Sequence, residues 1–177
     1  MPITHVHPMN LPESVWETLS TSLSAEPKID STRNTAQNIK TLYEQNLAVV
    51  LMQGDVPVGF IAVWPVEKGF VEIGSVWVHP DVRGQGLSHQ IYDAVPSLPG
   101  IQNIVAFGIT TNPISVHVGE RVGLKIVRDW DTPVPRHLSC GPCEYISPAD
   151  QSTCPKRGVS CWLRVITSTY RAQPHRW

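Results

Sequence analysis

The sequence predicts an α/β fold, with helices flanking a sheet, and three observations carry that expectation. Segments with apolar residues at helical spacing alternate along the chain with short β-branched runs. Two of those runs are separated by Gly54-Asp55, a pair suited to a tight turn. With 177 residues, 41% of them hydrophobic and 16% charged, the chain can bury one core, so a single domain over 1–177 is expected.

Leu11, Val15, Trp16, Leu19 and Leu23 form one apolar stripe, which predicts a helix over Leu11 to Ala25; Ser31 to Asn46 predicts a second. Leu47 to Gln53 and Val58 to Val66 read as strands, and Gly54-Asp55 between them favours the positive backbone angles of a hairpin, hence an antiparallel pair. Phe70 to His79 is apolar on both alternating faces, as in a central strand covered on each side, and its one charged residue is Glu72. A glycine-bearing turn then leads into a helix over Leu87 to Val95 and a buried strand over Ile101 to Thr110. Asn112-Pro113 starts a further helix, because Asn caps free N–H groups and Pro suits the first turn. It is expected to end at Gly123, before a strand over Leu124 to Arg128. Asp131 to Gly158 changes character, with five prolines and three of the four cysteines, and Val159 to Thr167 returns to a strand pattern.

Fourteen basic residues face fifteen acidic ones, for a net charge of -1, so no global basic field attracts nucleic acid or anionic lipid. No apolar run approaches the roughly 20 residues that span a bilayer. Met1 to Asn10 lacks the layout of a signal peptide, so neither membrane nor export is expected and the default compartment is the cytoplasm.

The stretch Val76-Trp77-Val78-His79-Pro80-Asp81-Val82-Arg83-Gly84-Gln85-Gly86-Leu87-Ser88 joins a buried strand to a helix through an Arg-Gly-x-Gly turn. Such a turn has the physics of an anion site. Glycines let the backbone approach a phosphate, successive N–H groups point at its oxygens, and the helix N-terminus adds partial positive charge. It resembles motif A of the GNAT superfamily of acyltransferases, Gln or Arg, two residues, Gly, one residue, Gly or Ala, whose loop holds the pyrophosphate of CoA. Arg83 and Gly86 fit the pattern and Ser88 departs from it; as a small residue, Ser88 still permits close approach. Asn112 to Leu124 resembles motif B, with Gly119 where many members carry Tyr and Leu124 in place of Phe. Its Asn-x-x-Ser start and Glu-Arg-x-Gly end are closer to the branch that acetylates the N-termini of ribosomal proteins.

The resemblance covers roughly Leu47 to Arg128. It implies a GNAT-like domain with a mixed, mostly antiparallel central sheet, and acetyl-CoA as cosubstrate. Val76, Trp77, Val78, Arg83, Gly84, Gln85, Gly86, Leu87, Ser88 and Asn112 are the positions it assigns to the cofactor, with backbone N–H groups near Trp77 and Val78 donating to the thioester oxygen. A homodimer is the superfamily's default. The implied activity is transfer of an acetyl group to a primary amine of a small molecule or protein; the alternative, suggested by Gly119, is a catalytically silent acyl-CoA-binding module.

An amine must be neutral to attack a thioester, and at pH 7 a lysine-like amine of pKa about 10.4 is neutral about once in 2,500 molecules. A general base offsets a deficit of that size. Glu72 is the leading candidate, since it stands alone as an ionisable group in an apolar strand leading to the glycine turn, where desolvation raises a carboxyl pKa; a structural ion pair or a solvent-facing position is the other reading. Ser115 inherits a proton-donor role from the resemblance, or else caps its helix. His79 reads as a positional residue before Pro80, His117 as solvent-facing, and Trp64 and Trp77 as core.

Cys140, Cys143, Cys154 and Cys161 place four thiols within 22 residues, enough for a tetrahedral zinc site with His137 as a substitute ligand, although the second half lacks paired spacing. Reduced, independent thiols are the other reading. The Pro/Cys-rich insertion at 131–158, before the last strand, lies where the superfamily often borders its acceptor pocket.

Overall fold

The computed structural model describes residues 3–6, 10–26, 29, 33–98, 101, 104–127, 133–139 and 161–166. Met1–Trp64 with Ile73–Ile101 forms one compact unit, and Pro65–Glu72 with Gln102–Trp177 forms a second. The first holds β1 (Ile3–Val6), α1 (Glu13–Ser24), α2 (Ala36–Glu44), β2 (Ala48–Gln53), most of β3 (Val56–Glu67) and of β4 (Phe70–Val78), a 3-10 turn at Pro80–Val82, and α3 (Leu87–Ala94). Its strand order is β1-β2-β3-β4. The second holds the β3–β4 hairpin tip, β5 (Val105–Thr110), α4 (Pro113–Arg121), β6 (Lys125–Val127), α5 (Arg136–Ser139) and β7 (Trp162–Ile166), in the order β4-β5-β7-β6. β4 and β5 pair parallel, whereas β1/β2, β2/β3, β5/β7 and β6/β7 pair antiparallel. The fold is therefore α/β with a mixed, mostly antiparallel sheet, as the sequence leads one to expect.

Local chemistry explains the elements. The β2–β3 hairpin turns at Gly54, which alone of its pair takes a positive φ (62°), and Gln53 faces Val56 across it. The stripe expected on α1 is buried at Val15, Trp16, Leu19 and Leu23, packed with Ile39, Leu42 and Tyr43 of α2 and with Phe60 and Trp77 of the sheet. α2 starts at Ala36 because Thr35 is extended and its hydroxyl accepts from the Asn38 N–H at 3.3 Å, a cap that ends the pattern read from Ser31. In the second unit Phe107, Leu163 and Val165 pack around Val134, with Leu138 and Phe70 against them.

Several elements differ from the sequence expectation. β1 was not foreseen and pairs with β2 from Ile3↔Gln53 to Val6↔Val50. β5 begins at Val105, with Ile101 in a 3-10 turn, and α4 ends at Arg121, two residues before Gly123 takes φ 90°. α5 stands inside the stretch read as irregular, most of which lies outside the described residues. On β4 one face is buried, at Val71, Ile73, Ser75 and Trp77, while the other, carrying Glu72, is only half-buried.

Gly59 on β3 sets how closely α3 lies on its sheet. A Cβ there would meet Ile91 Cδ1 at 2.7 Å and Leu51 Cδ1 at 3.2 Å. Gly59→Ala should therefore cost about 1–3 kcal/mol through overpacking, read as a lowered midpoint in denaturant unfolding.

Candidate functional site

The first unit builds the glycine turn between β4 and α3. His79 caps the 3-10 turn, its Nδ1 accepting from the Asp81 N–H at 3.3 Å, and Pro80 fills the first position. Val82 is buried and anchors the turn. Gly84 and Gly86 both take positive φ (81° and 79°), a conformation open to glycine and strained for other residues. Among the described residues no heavy atom beyond the chain neighbours lies within 4 Å of a Cβ built on either, so these residues leave the space over the turn open. Gly86 is the N-cap of α3 and provides no side-chain cap; the His89 N–H donates to the Gly86 carbonyl at 3.0 Å, while the Leu87 and Ser88 amides at the helix start have no intrahelical acceptor.

Arg83 reaches away from this cradle. Its Nε donates to the Val78 carbonyl at 2.9 Å and its Nη2 pairs with Glu26 after α1. The guanidinium thus braces the turn from its strand side, and an anion over the glycines would be met by backbone N–H groups. Gln85 is exposed, Leu87 is buried and Ser88 is half-buried.

Upstream on β4, Ser75 has φ 53°, a costly conformation for a non-glycine residue inside a strand. It is buried, and its Oγ accepts from Trp64 Nε1 at 3.2 Å, which holds the irregularity just before Val76. Trp64 and Trp77 both belong to the first unit's core. Nothing in the sequence marks Ser75 as special.

Glu72 belongs to the second unit, opposite Phe107 of β5, and is half-buried. The β4–β5 register runs through Phe70, Val71 and Glu72, while β4 itself continues to Val78.

Asn112 and Ser115 sit at the start of α4 in the second unit. The capping role belongs to Asn112, whose Oδ1 accepts from the Ile114 N–H at 3.0 Å and whose own N–H donates to Thr110 Oγ1 at 3.0 Å. Ser115 is half-buried in the first turn, where its carbonyl accepts from Arg164 Nη1 at 2.6 Å. His117 is exposed. Arg164, 1% exposed on β7, is the functional candidate that sequence reading missed. Its signal was a lone charge in the apolar run Trp162-Leu163-Arg164-Val165-Ile166.

Cys140, Cys143 and Cys154 lie outside the described residues, and Cys161 is half-buried just before β7. Among the described residues no cluster could hold a metal ion, and His137 contacts Glu67 at 2.9 Å. No helix of the described residues is long and apolar enough to cross a membrane.

Residues 12–123 match the model of the acetyltransferase (GNAT) family. No curated protein matches the chain. Among solved structures, ACIAD1637 from Acinetobacter baylyi ADP1 is similar with TM-score 0.59 and 15% identity, over 98% of this chain and 96% of that one. Rv2747 from Mycobacterium tuberculosis, in complex with CoA and NLQ, gives 0.58 and 17%, over 94% and 99%. Diaminobutyrate acetyltransferase EctA from Paenibacillus lautus, in complex with L-2,4-diaminobutyric acid and coenzyme A, gives 0.52 and 11%, over 68% and 72%. At these identities the likeness is one of fold.

Proposed function

Since the chain belongs to the acetyltransferase (GNAT) family, we propose that it transfers the acetyl group of acetyl-CoA to a primary amine by direct attack. The observation that carries this reading is the cradle at Gly84 and Gly86, two positive-φ glycines at the N-terminus of α3 with open space above them. The CoA diphosphate is assigned to it, with Arg83 to Ser88 as its frame. The backbone of Val76, Trp77 and Val78 is assigned to the thioester arm, and Asn112 and Ser115 keep the places that the family pattern gives them. EctA, whose complex holds a diamine, supports an amine as acceptor class.

In the proposed step the amine nitrogen attacks the thioester carbon and loses a proton. Glu72 is assigned as the base. It precedes Val76 by four residues, about 13 Å along a strand, so the proton reaches it through water. Backbone N–H groups stabilise the oxyanion, and collapse of the intermediate expels the CoA thiolate.

The test is calorimetry with CoA, followed by thiol release from acetyl-CoA against a panel of small and peptidyl amines. CoA binding with amine-dependent release is the expected result. Binding without release from any amine supports instead a silent acyl-CoA-binding module, the reading favoured by Gly119 standing where many members carry Tyr.

A further inference from the structure

We propose that Arg33 binds a carboxylate carried by the acceptor, so that the amine acetylated here belongs to an amino acid rather than to an alkylamine, a polyamine or a lysine side chain. The inference rests on the acetyl-transfer reading above and on its assignment of the thioester arm to Val76, Trp77 and Val78.

Every group it uses lies in the first unit. Arg33 is half-buried, and its guanidinium carbon stands over the Trp64 ring, 4.9 Å from the ring centre. Trp64 in turn donates from Nε1 to Ser75 Oγ at 3.2 Å. Ser75, with φ 53°, marks the irregularity in β4 directly before Val76. Two contacts therefore connect the cation to the strand assigned to the thioester.

The main chain beside the cation is tied down as well. The Arg33 carbonyl accepts from Asn38 Nδ2 at 3.1 Å, and the carbonyl of the buried Asn34 accepts from Ser20 Oγ of α1 at 2.8 Å. Trp16 stands one helical turn before Ser20, is 2% exposed and shares a core cluster with Trp64 and Trp77. Among the described residues its Nε1 is buried without a hydrogen-bond acceptor, a costly state that a ligand oxygen would relieve. A guanidinium likewise has N–H donors only. Both groups donate, so the ligand atom that suits them is an oxygen, and the one that suits the arginine's charge is anionic.

The sign of the charge narrows the acceptor further. A simple amine arrives at neutral pH mostly as ammonium, which a cation beside the thioester repels. An amino acid brings a carboxylate, and arginine pairs with that group through two parallel N–H bonds. In the free amino acid the carboxylate also holds the proton on its neighbouring amine. Pairing with Arg33 cancels that hold and favours the neutral amine that attack requires.

The test measures thiol release from acetyl-CoA, with each rate referred to the neutral fraction of the acceptor. Acceptors are taken in pairs that differ in the carboxylate: α-amino acids against their amides, and ω-amino acids of increasing length against the matching alkylamines. The wild-type protein should prefer the acid by at least about tenfold in kcat/KM in the pairs whose spacing fits. Arg33→Met, which keeps an apolar chain over the indole, should bring that ratio close to one, chiefly through KM for the acid, while calorimetry finds CoA affinity unchanged. Arg33→Lys, a charge without the fork, should keep part of the preference. A wild-type protein that acetylates amines with no preference for the acid in any pair overturns the inference. So does an Arg33→Met variant whose loss falls equally on acid and partner, the mark of a residue that only braces Trp64. If Arg33→Met does not fold, the wild-type pairs and Arg33→Gln decide under the same outcomes. CoA binding with thiol release from no amine overturns the acetyl-transfer reading instead.

Discussion

Gly86→Glu is expected to weaken CoA binding at least about 100-fold, about 2.8 kcal/mol, in a chain that keeps its fold. The backbone at Gly86 has φ 79°, so any side chain there costs about 1–2 kcal/mol in the left-handed region. Among the described residues no atom within 4 Å of the added Cβ compounds that strain. An acidic group at a helix N-terminus returns about 0.3–1 kcal/mol, so the net loss is small against an ordinary domain stability of about 5–15 kcal/mol. Binding fares worse, because the carboxylate takes the space and the N–H groups assigned to the diphosphate and repels what remains of its charge. Gly86→Ala has the same backbone strain without the charge, and its affinity should fall between the two. Calorimetry on folded protein measures all three. A wild-type affinity in Gly86→Glu would remove the diphosphate from this turn.

That turn was legible in the sequence because its physics is local. Arg83, Gly84 and Gly86 stand between a β-branched strand and an amphipathic helix, and glycine permits the positive φ that both Gly84 and Gly86 take. The two N-terminal helices and the β2–β3 hairpin were legible for the same reason, through spacing and turn chemistry. Most of what escaped depends on partners far along the chain. Ile3-Thr4-His5-Val6 is too short to announce a strand, and β2 makes it one by offering an edge from Val50 to Gln53. The start of α2 shifted from the expected Ser31 to Ala36 because Thr35, inside a polar run, has its hydroxyl in reach of the Asn38 N–H. Ser75 adopts φ 53° with Trp64 as its partner, eleven residues away across the hairpin. Arg164 and Gly119 are 45 positions apart, and each alone reads as an oddity: a charge in a strand, a gap in a motif. Only the fold makes them complementary. Asn112 was read both as a cap and as a cofactor residue, and its side-chain oxygen is engaged in the cap.

Glu72→Gln is expected to lower turnover of a lysine-like amine at neutral pH about 100-fold or more, while CoA affinity and the fold stay as in the wild type. Gln keeps the shape and a hydrogen-bonding group at a half-buried position, so packing on that face of β4 is retained and the ability to take a proton is lost. The pH dependence separates this from a structural effect. Without a base, the reactive species is the small neutral fraction of the amine, which grows tenfold per pH unit until the amine pKa of about 10.4. The rate of the variant should therefore climb along that line and close on the wild type in alkaline solution. Acceptor pKa gives a second, independent handle. An α-amine of pKa about 8 is already about one-tenth neutral at pH 7, so the base has far less to contribute and the ratio of wild-type to variant rates should shrink accordingly. A variant disturbed only in its packing would lose the same factor on both amines at every pH. Turnover of the lysine-like amine that is unchanged at neutral pH, in a variant that binds CoA normally, would move the base role away from Glu72, with a chain of water molecules or the exposed His117 next to be tested.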